Sequence, residues 1–174
     1  THKPVKLGNG TFFGGSCAHP QVDDADVYVG LDLSMPVRPR SFPWMPGVEF
    51  VFPIRDHDVP SDPEQFKHLI AFLAGQLDAG AKVHVGCIGG HGRTGMVLAA
   101  LVKTMLGVRR AIQWGRKNYC PEIVETEEQV DFLVEHFKVA KAKPRYTWSE
   151  WASSSVSASP STVAGPPPSC CLRA

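Results

Sequence analysis

Val83-His84-Val85-Gly86-Cys87-Ile88-Gly89-Gly90-His91-Gly92-Arg93-Thr94-Gly95 decides how this chain is read. The residues leading in, Ala81 to Val85, with Val83 and Val85 β-branched, read as a short buried strand. From Thr94 to Leu106 the chain is apolar at nearly every position and reads as a buried helix, with Gly107 as its C-cap. Between them Cys87 and Arg93 stand six positions apart, joined through Gly89, Gly90 and Gly92. Glycines let a backbone curl tightly and approach an oxyanion. The N-terminus of the following helix adds unpaired N–H donors and the positive end of its dipole. Successive N–H groups aimed into one concavity form an anion nest.

The residues of this loop, Ile88, Gly89, Gly90, His91 and Gly92, with the planar fork of Arg93, are therefore expected to hold a phosphate dianion. Cys87 at the base of that nest sits where a positive field favours a nucleophilic thiolate. Thr94 places a hydroxyl beside it. A buried structural cysteine in a tight turn is the plain alternative. A nucleotide-binding loop of the Walker type would end in Gly-Lys-Ser/Thr, whereas this one ends in Gly92-Arg93-Thr94.

Cys87, Gly90, Arg93 and Thr94 match Cys-x-x-Gly-x-x-Arg-Ser/Thr, so the loop resembles that of the Cys-dependent protein tyrosine phosphatase superfamily. That family usually keeps His immediately before the Cys; here the position is Gly86, and His84 lies two residues earlier. Upstream, Phe52-Pro53-Ile54-Arg55-Asp56-His57-Asp58-Val59-Pro60 resembles the family's mobile acid loop. Aligning Asp-x-x-Val-Pro selects Asp56 as the implied general acid, with Asp58 and Asp62 as competitors. Ile123 to Phe132 resembles a Gln-rich segment, Val-Gln-Thr-x-x-Gln, that positions the hydrolytic water. Gln129 fits the second Gln and Glu125 replaces the first. Thr126-x-x-Gln129 is equally a capping box that starts a helix, and the two readings are compatible.

The resemblance implies a compact, dual-specificity-like phosphatase working through a phosphocysteine intermediate, with Cys87, Arg93, Asp56, Thr94 and Gln129 as catalytic residues and no cofactor. The loop carries Ile88 and His91 rather than several lysines, which leans towards phosphotyrosine in proteins, with phosphoserine and phosphothreonine also open. Phosphoinositide or RNA 5′-phosphate hydrolysis, and a phosphate-binding pseudophosphatase favoured by Gly86, are the alternatives.

The 174 residues allow one domain with a real core. A net charge of +1 argues against a nucleic-acid partner. No apolar run is long enough to span a membrane, and no N-terminal signal pattern is visible. The five cysteines (17, 87, 120, 170 and 171) form no disulfide framework, so a reduced, cytoplasmic setting is expected, with Cys17 and Cys120 read as packed or exposed thiols in preference to disulfide partners for an oxidised Cys87. There is no Cys-x-x-Cys and the seven histidines are scattered, so no metal site is expected.

Residues 1–10 read as loose. Val27 to Leu33 and Val48 to Phe52 read as strands, and Pro36 to Pro46 as a proline-rich loop. Ser61-Asp62-Pro63-Glu64 reads as a helix start with Ser61 as N-cap. A basic helix is expected over Val108 to Asn118, with its charges on a solvated face, and an amphipathic helix over 126–142. The alternation of strands and helices predicts a single α/β domain: a mixed, mostly parallel central sheet with helices on both faces. The catalytic domain is placed at 10–145. Residues 152–174, rich in Ser, Pro, Ala and Gly, are expected to be a disordered tail.

Overall fold

The computed structural model describes residues 2–33 and 48–146. The Pro36–Pro46 loop and the 152–174 tail lie outside the described residues. Five strands form one sheet: β1 (Val5–Leu7), β2 (Gly10–Ser16), β3 (Val27–Gly30), β4 (Val48–Val51) and β5 (Lys82–Cys87). Their order is β1-β2-β5-β3-β4. β1 and β2 pair antiparallel, and every other pairing is parallel. The helices are α1 (Pro63–Asp78), α2 (Gly92–Leu106), α3 (Ala111–Asn118) and α4 (Glu127–Phe137). The mixed, mostly parallel sheet of a single α/β domain is the class the alternation of elements predicts.

Alternation along the strands assigns the two faces. Phe12, Val27, Val29, Val83 and Val85 are buried together in the core. Gly10 and Gly14 share their side. The backbone of Leu77 in α1 lies against Gly10, and the Tyr119 hydroxyl and the Thr94 methyl lie against Gly14, so α1 and α2 cover the same face. On the other face Gly15 meets the Gln21 side chain, Gly86 meets Cys17, and His84 lies beside the Tyr28 ring. Among the described residues, the expected helices on both faces are thus found on one face. The segment between β2 and β3 covers the other, which takes no helix length to do.

Local chemistry explains the helix ends. Asp62, not the expected Ser61, caps α1: its carboxylate accepts the N–H groups of Glu64 and Gln65. Pro63 then occupies the first helical position, where a missing N–H costs nothing. Gly107 ends α2 in the left-handed conformation at φ 67°, as its position predicts. In α4 Thr126 and Gln129 form the complete capping box. That helix stops before the expected residue 142, because Lys138 turns left-handed at φ 56° and Ala140 then donates to Arg109 instead.

Two further expectations are corrected. Residues 2–10 are not loose: Val5 and Leu7 are buried and pair with β2 through a hairpin that turns at Gly8. In α3 the basic face is only partly solvated. The Arg116 guanidinium turns inward to the carbonyls of Ile123, Val124 and Lys143.

Candidate active site

β3, β4 and β5 are parallel, so their carboxyl ends open on one side of the sheet, where loops build ligand sites in such folds. Cys87 is the last residue of β5 and is buried. The loop turns back over it, so that the Gly90 N–H points at Sγ across 3.1 Å. Gly90 makes that turn at φ 78°, and Tyr119 braces it by donating its hydroxyl to the Gly90 carbonyl at 2.9 Å. α2 then starts at Gly92 with no side chain capping it. Its first N–H groups are left for an anion. The Thr94 hydroxyl is buried beneath the loop with no hydrogen-bond partner among the described residues. Ile88 points its side chain outward, 44% exposed, so only its backbone belongs to the cradle.

Arg93 is buried and fully engaged. Nη1 donates to Asp32 at 2.6 Å and to the Ile54 carbonyl at 2.8 Å, while Nη2 donates to Asp56 at 2.8 Å. Burial alone would lower its pKa; the Cys87 thiol, Asp32 and Asp56 together outweigh burial and raise it. Asp32 is buried, whereas the Asp56 side chain is 53% exposed and stands at the mouth of the site. The competitors of Asp56 are occupied elsewhere: Asp58 accepts the Val59 N–H, and Asp62 caps α1. Asp56 owes its place to a turn with left-handed His57, whose carbonyl accepts the Thr126 hydroxyl at 3.3 Å.

α4 closes the site. Gln129 is buried; its side-chain oxygen accepts from Glu125 and Thr126, and its amide nitrogen reaches the Asp58 carbonyl at 3.4 Å. Its capping role and its place beside the acid loop coexist. Glu125 lies against the start of α2, where a Cβ at Gly92 would sit 2.3 Å from its Oε2. Burial raises its pKa and neighbouring Asp56 adds to this, against the lowering effects of His57, Gly92 and Arg93.

Gly86 has a steric reason. A Cβ there would sit 2.6 Å from the Cys17 nitrogen and 2.7 Å from its Cα, just past the end of β2. No side chain fits, His included. His84 points to the far face of the sheet, is buried, and is held neutral by burial with a pKa of about 4. The Cys17 N–H donates to the Cys87 carbonyl at 2.8 Å, and burial, followed by Cys87 and Asp32, raises the Cys17 thiol pKa. Cys120 instead packs against His91.

Cys87, Arg93, Asp56, Thr94 and Gln129 are thus gathered in one place. Sequence reasoning missed Asp32 and Tyr119. Asp32 had a signal, an acidic residue between Leu31 and Leu33 just past a buried parallel strand. Tyr119, as a brace of the loop, had none.

Residues 24–105 match the family model described as "Polymorphic toxin system, DSP-PTPase phosphatase", a span that runs from β3 through α2. A crystal structure of Tk-PTP in the active form superposes with a TM-score of 0.60 at 26% identity, covering 80% of this chain and 97% of that one. Over these residues and in its fold the chain is similar to the Cys-dependent protein tyrosine phosphatase superfamily. Human DUSP28 shares the phosphatase fold at 16% identity and a TM-score of 0.62, over 78% of this chain and 94% of that one. An uncharacterized protein of Methanocaldococcus jannaschii is 39% identical over 89 residues, covering 51% of this chain and 55% of the relative. The chain spans about half the length of the curated relatives it matches. No helix among the described residues is long and apolar enough to cross a membrane.

Proposed function

We propose that this chain hydrolyses phosphomonoesters, with phosphotyrosine in proteins as the preferred substrate, through a phosphocysteine intermediate. One observation carries the reading: the Cys87 thiol, the uncapped N-terminus of α2 and an Arg93 held against Asp56 converge on one opening. The Sγ thiolate attacks phosphorus in line and the P–O bond to the alcohol breaks. The loop N–H groups and Arg93 take the equatorial oxygens. The incoming dianion replaces Asp56 on Nη2, while Asp32 keeps Nη1 in place. Asp56, released from Arg93, takes up a proton from solvent and gives it to the leaving oxygen. Water held beside Gln129 then attacks phosphorus, Asp56 takes its proton, and the P–S bond breaks to restore Cys87.

The preference for phosphoprotein rests on the loop's side chains. Ile88 is apolar, and burial holds His91 below the ordinary imidazole range. Neither adds the positive charge that a polyanionic headgroup would favour. Phosphoserine and phosphothreonine peptides fall within the same chemistry.

Turnover of a chromogenic aryl phosphate tests the reading. Cys87→Ser is expected to abolish it while orthovanadate or phosphate still binds. Asp56→Ala is expected to lower kcat by roughly 10²–10⁴-fold. Full turnover by Cys87→Ser would overturn the mechanism. A panel of phosphopeptides and inositol phosphates tests the substrate class, and faster turnover of the inositol phosphates would move it to phosphoinositides.

A further inference from the structure

Behind the loop lies a second cluster that the proposed hydrolysis does not use. His2 from the N-terminal segment, His91 from the loop and Cys120 beyond α3 are all buried, and their ligating atoms lie within 4.8 Å of one another. Nε2 of His2 stands 3.3 Å from Nδ1 of His91, and Sγ of Cys120 stands 3.5 Å from that same nitrogen. Bond lengths of about 2.0–2.1 Å to nitrogen and about 2.3 Å to sulfur set the edges of a tetrahedral zinc site at about 3.3–3.4 Å (N to N) and about 3.5–3.6 Å (N to S). The two edges that meet at Nδ1 of His91 match these lengths, and the third, between His2 and Cys120, lies within 4.8 Å.

We propose that His2, His91 and Cys120 form a binding site for a Zn²⁺-class cation, with three protein ligands and a fourth position for water. Two imidazoles and a thiolate suit zinc or cobalt and are poor ligands for Mg²⁺ or Ca²⁺. The surroundings fit a ligand set. Tyr119 stacks on the His2 ring at 4.7 Å between centroids and 14° between planes, and its carbonyl accepts the Lys3 N–H. Glu122 places a carboxylate oxygen 3.9 Å from Nε2 of His91, the nitrogen left over when Nδ1 ligates. Carboxylates in that position orient metal-binding histidines. Burial, with His91 as a lesser cause, lowers the His2 pKa to about 4, and burial lowers that of His91, so both rings are neutral at pH 7 as ligation requires. On binding, Cys120 releases its thiol proton to solvent. Because His91 belongs to the Cys87–Arg93 loop, a bound ion ties that loop to the end of α3 and to the N-terminal segment.

The test uses Co²⁺ alone, titrated into reduced, chelator-stripped protein carrying Cys87→Ser, so that the proposed nucleophile cannot supply the sulfur. The expected result is one equivalent bound, with a thiolate-to-cobalt charge-transfer band and intense tetrahedral d–d bands, both displaced by Zn²⁺. Cys120→Ser in that background should lose the charge-transfer band, and His2→Ala should weaken binding at least tenfold. X-ray absorption on the zinc-loaded Cys87→Ser protein needs no change at the site and should show one sulfur and two imidazoles. Absence of the cobalt bands, their persistence in Cys120→Ser, or a first shell without sulfur would overturn the site.

Discussion

Arg93 lies between two carboxylates of different standing, and the difference assigns their work. Asp32 is buried and holds Nη1; Asp56 is half in solvent and holds Nη2. A phosphate can displace the second but not the first. Asp32→Asn keeps the shape and removes the charge, so the fork should lose its orientation. The expected outcome is a fall in kcat/KM of about 10–100-fold, roughly 1.4–2.7 kcal/mol, on an aryl phosphate, with little loss of folding. Glu125 sets a second expectation. Its carboxylate lies against Gly92 at the start of α2, where an oxyanion would bind. Glu125→Gln should tighten orthovanadate binding by about tenfold, or about 1.4 kcal/mol, measured by calorimetry; unchanged affinity would show that Glu125 yields freely. Gly86 is the residue whose identity the sequence left without a reason. A methyl group there meets backbone rather than a movable side chain, so Gly86→Ala should cost about 1–3 kcal/mol in urea unfolding.

At the level of elements, β5, its loop and α2 were legible because each carries a strong local signal: valines at alternate positions, three glycines, and a long apolar stretch closed by Gly107. The start of α1 was legible to within one residue. Ser61 and Asp62 are both good caps, and choosing between them depended on which side chain reaches two N–H groups once Pro63 takes the first position. Asp62→Ala should therefore destabilise the fold by about 1 kcal/mol, within a usual range of roughly 0.5–2, while Ser61→Ala changes little; a denaturant midpoint for each distinguishes them. β1 was not legible. Three residues are too few to show a period of two, and Val5 and Leu7 become core only because β2 offers an edge. The end of α4 was misplaced for a similar reason. Lys138 adopts a left-handed turn that its residue type does not announce.

Across the whole molecule, His84 couples folding to pH. Burial lowers its pKa from 6.5 to about 4 in the folded chain. Between those values the unfolded chain binds a proton that the folded chain refuses, so stability is full above pH 6.5 and falls as pH drops towards 4. The loss should reach about 2 kcal/mol by pH 5, on the scale of 1.36 kcal/mol per unit. Urea unfolding at pH 7.5 and pH 5 measures it; burial lowers the pKa of His2 to about 4 as well, so His84→Leu should remove only the share that His84 contributes.

The chain's own order of residues was enough to place a cysteine, a glycine-rich turn and an arginine at a strand-to-helix junction, because those interactions span a dozen positions and are governed by backbone geometry. The motif Asp-x-x-Val-Pro picks out Asp56, which the fold places against Arg93. Which partners surround that loop was decided only in three dimensions. Asp32 meets Arg93, Tyr119 meets Gly90, and His2 meets His91 and Cys120, across separations in sequence that no local period records. The cause is the parallel sheet. It brings the ends of β3 and β5 side by side, and it packs α3 and the N-terminal segment behind the loop, so the groups that orient a site are set by packing while the groups that define it are set by the chain.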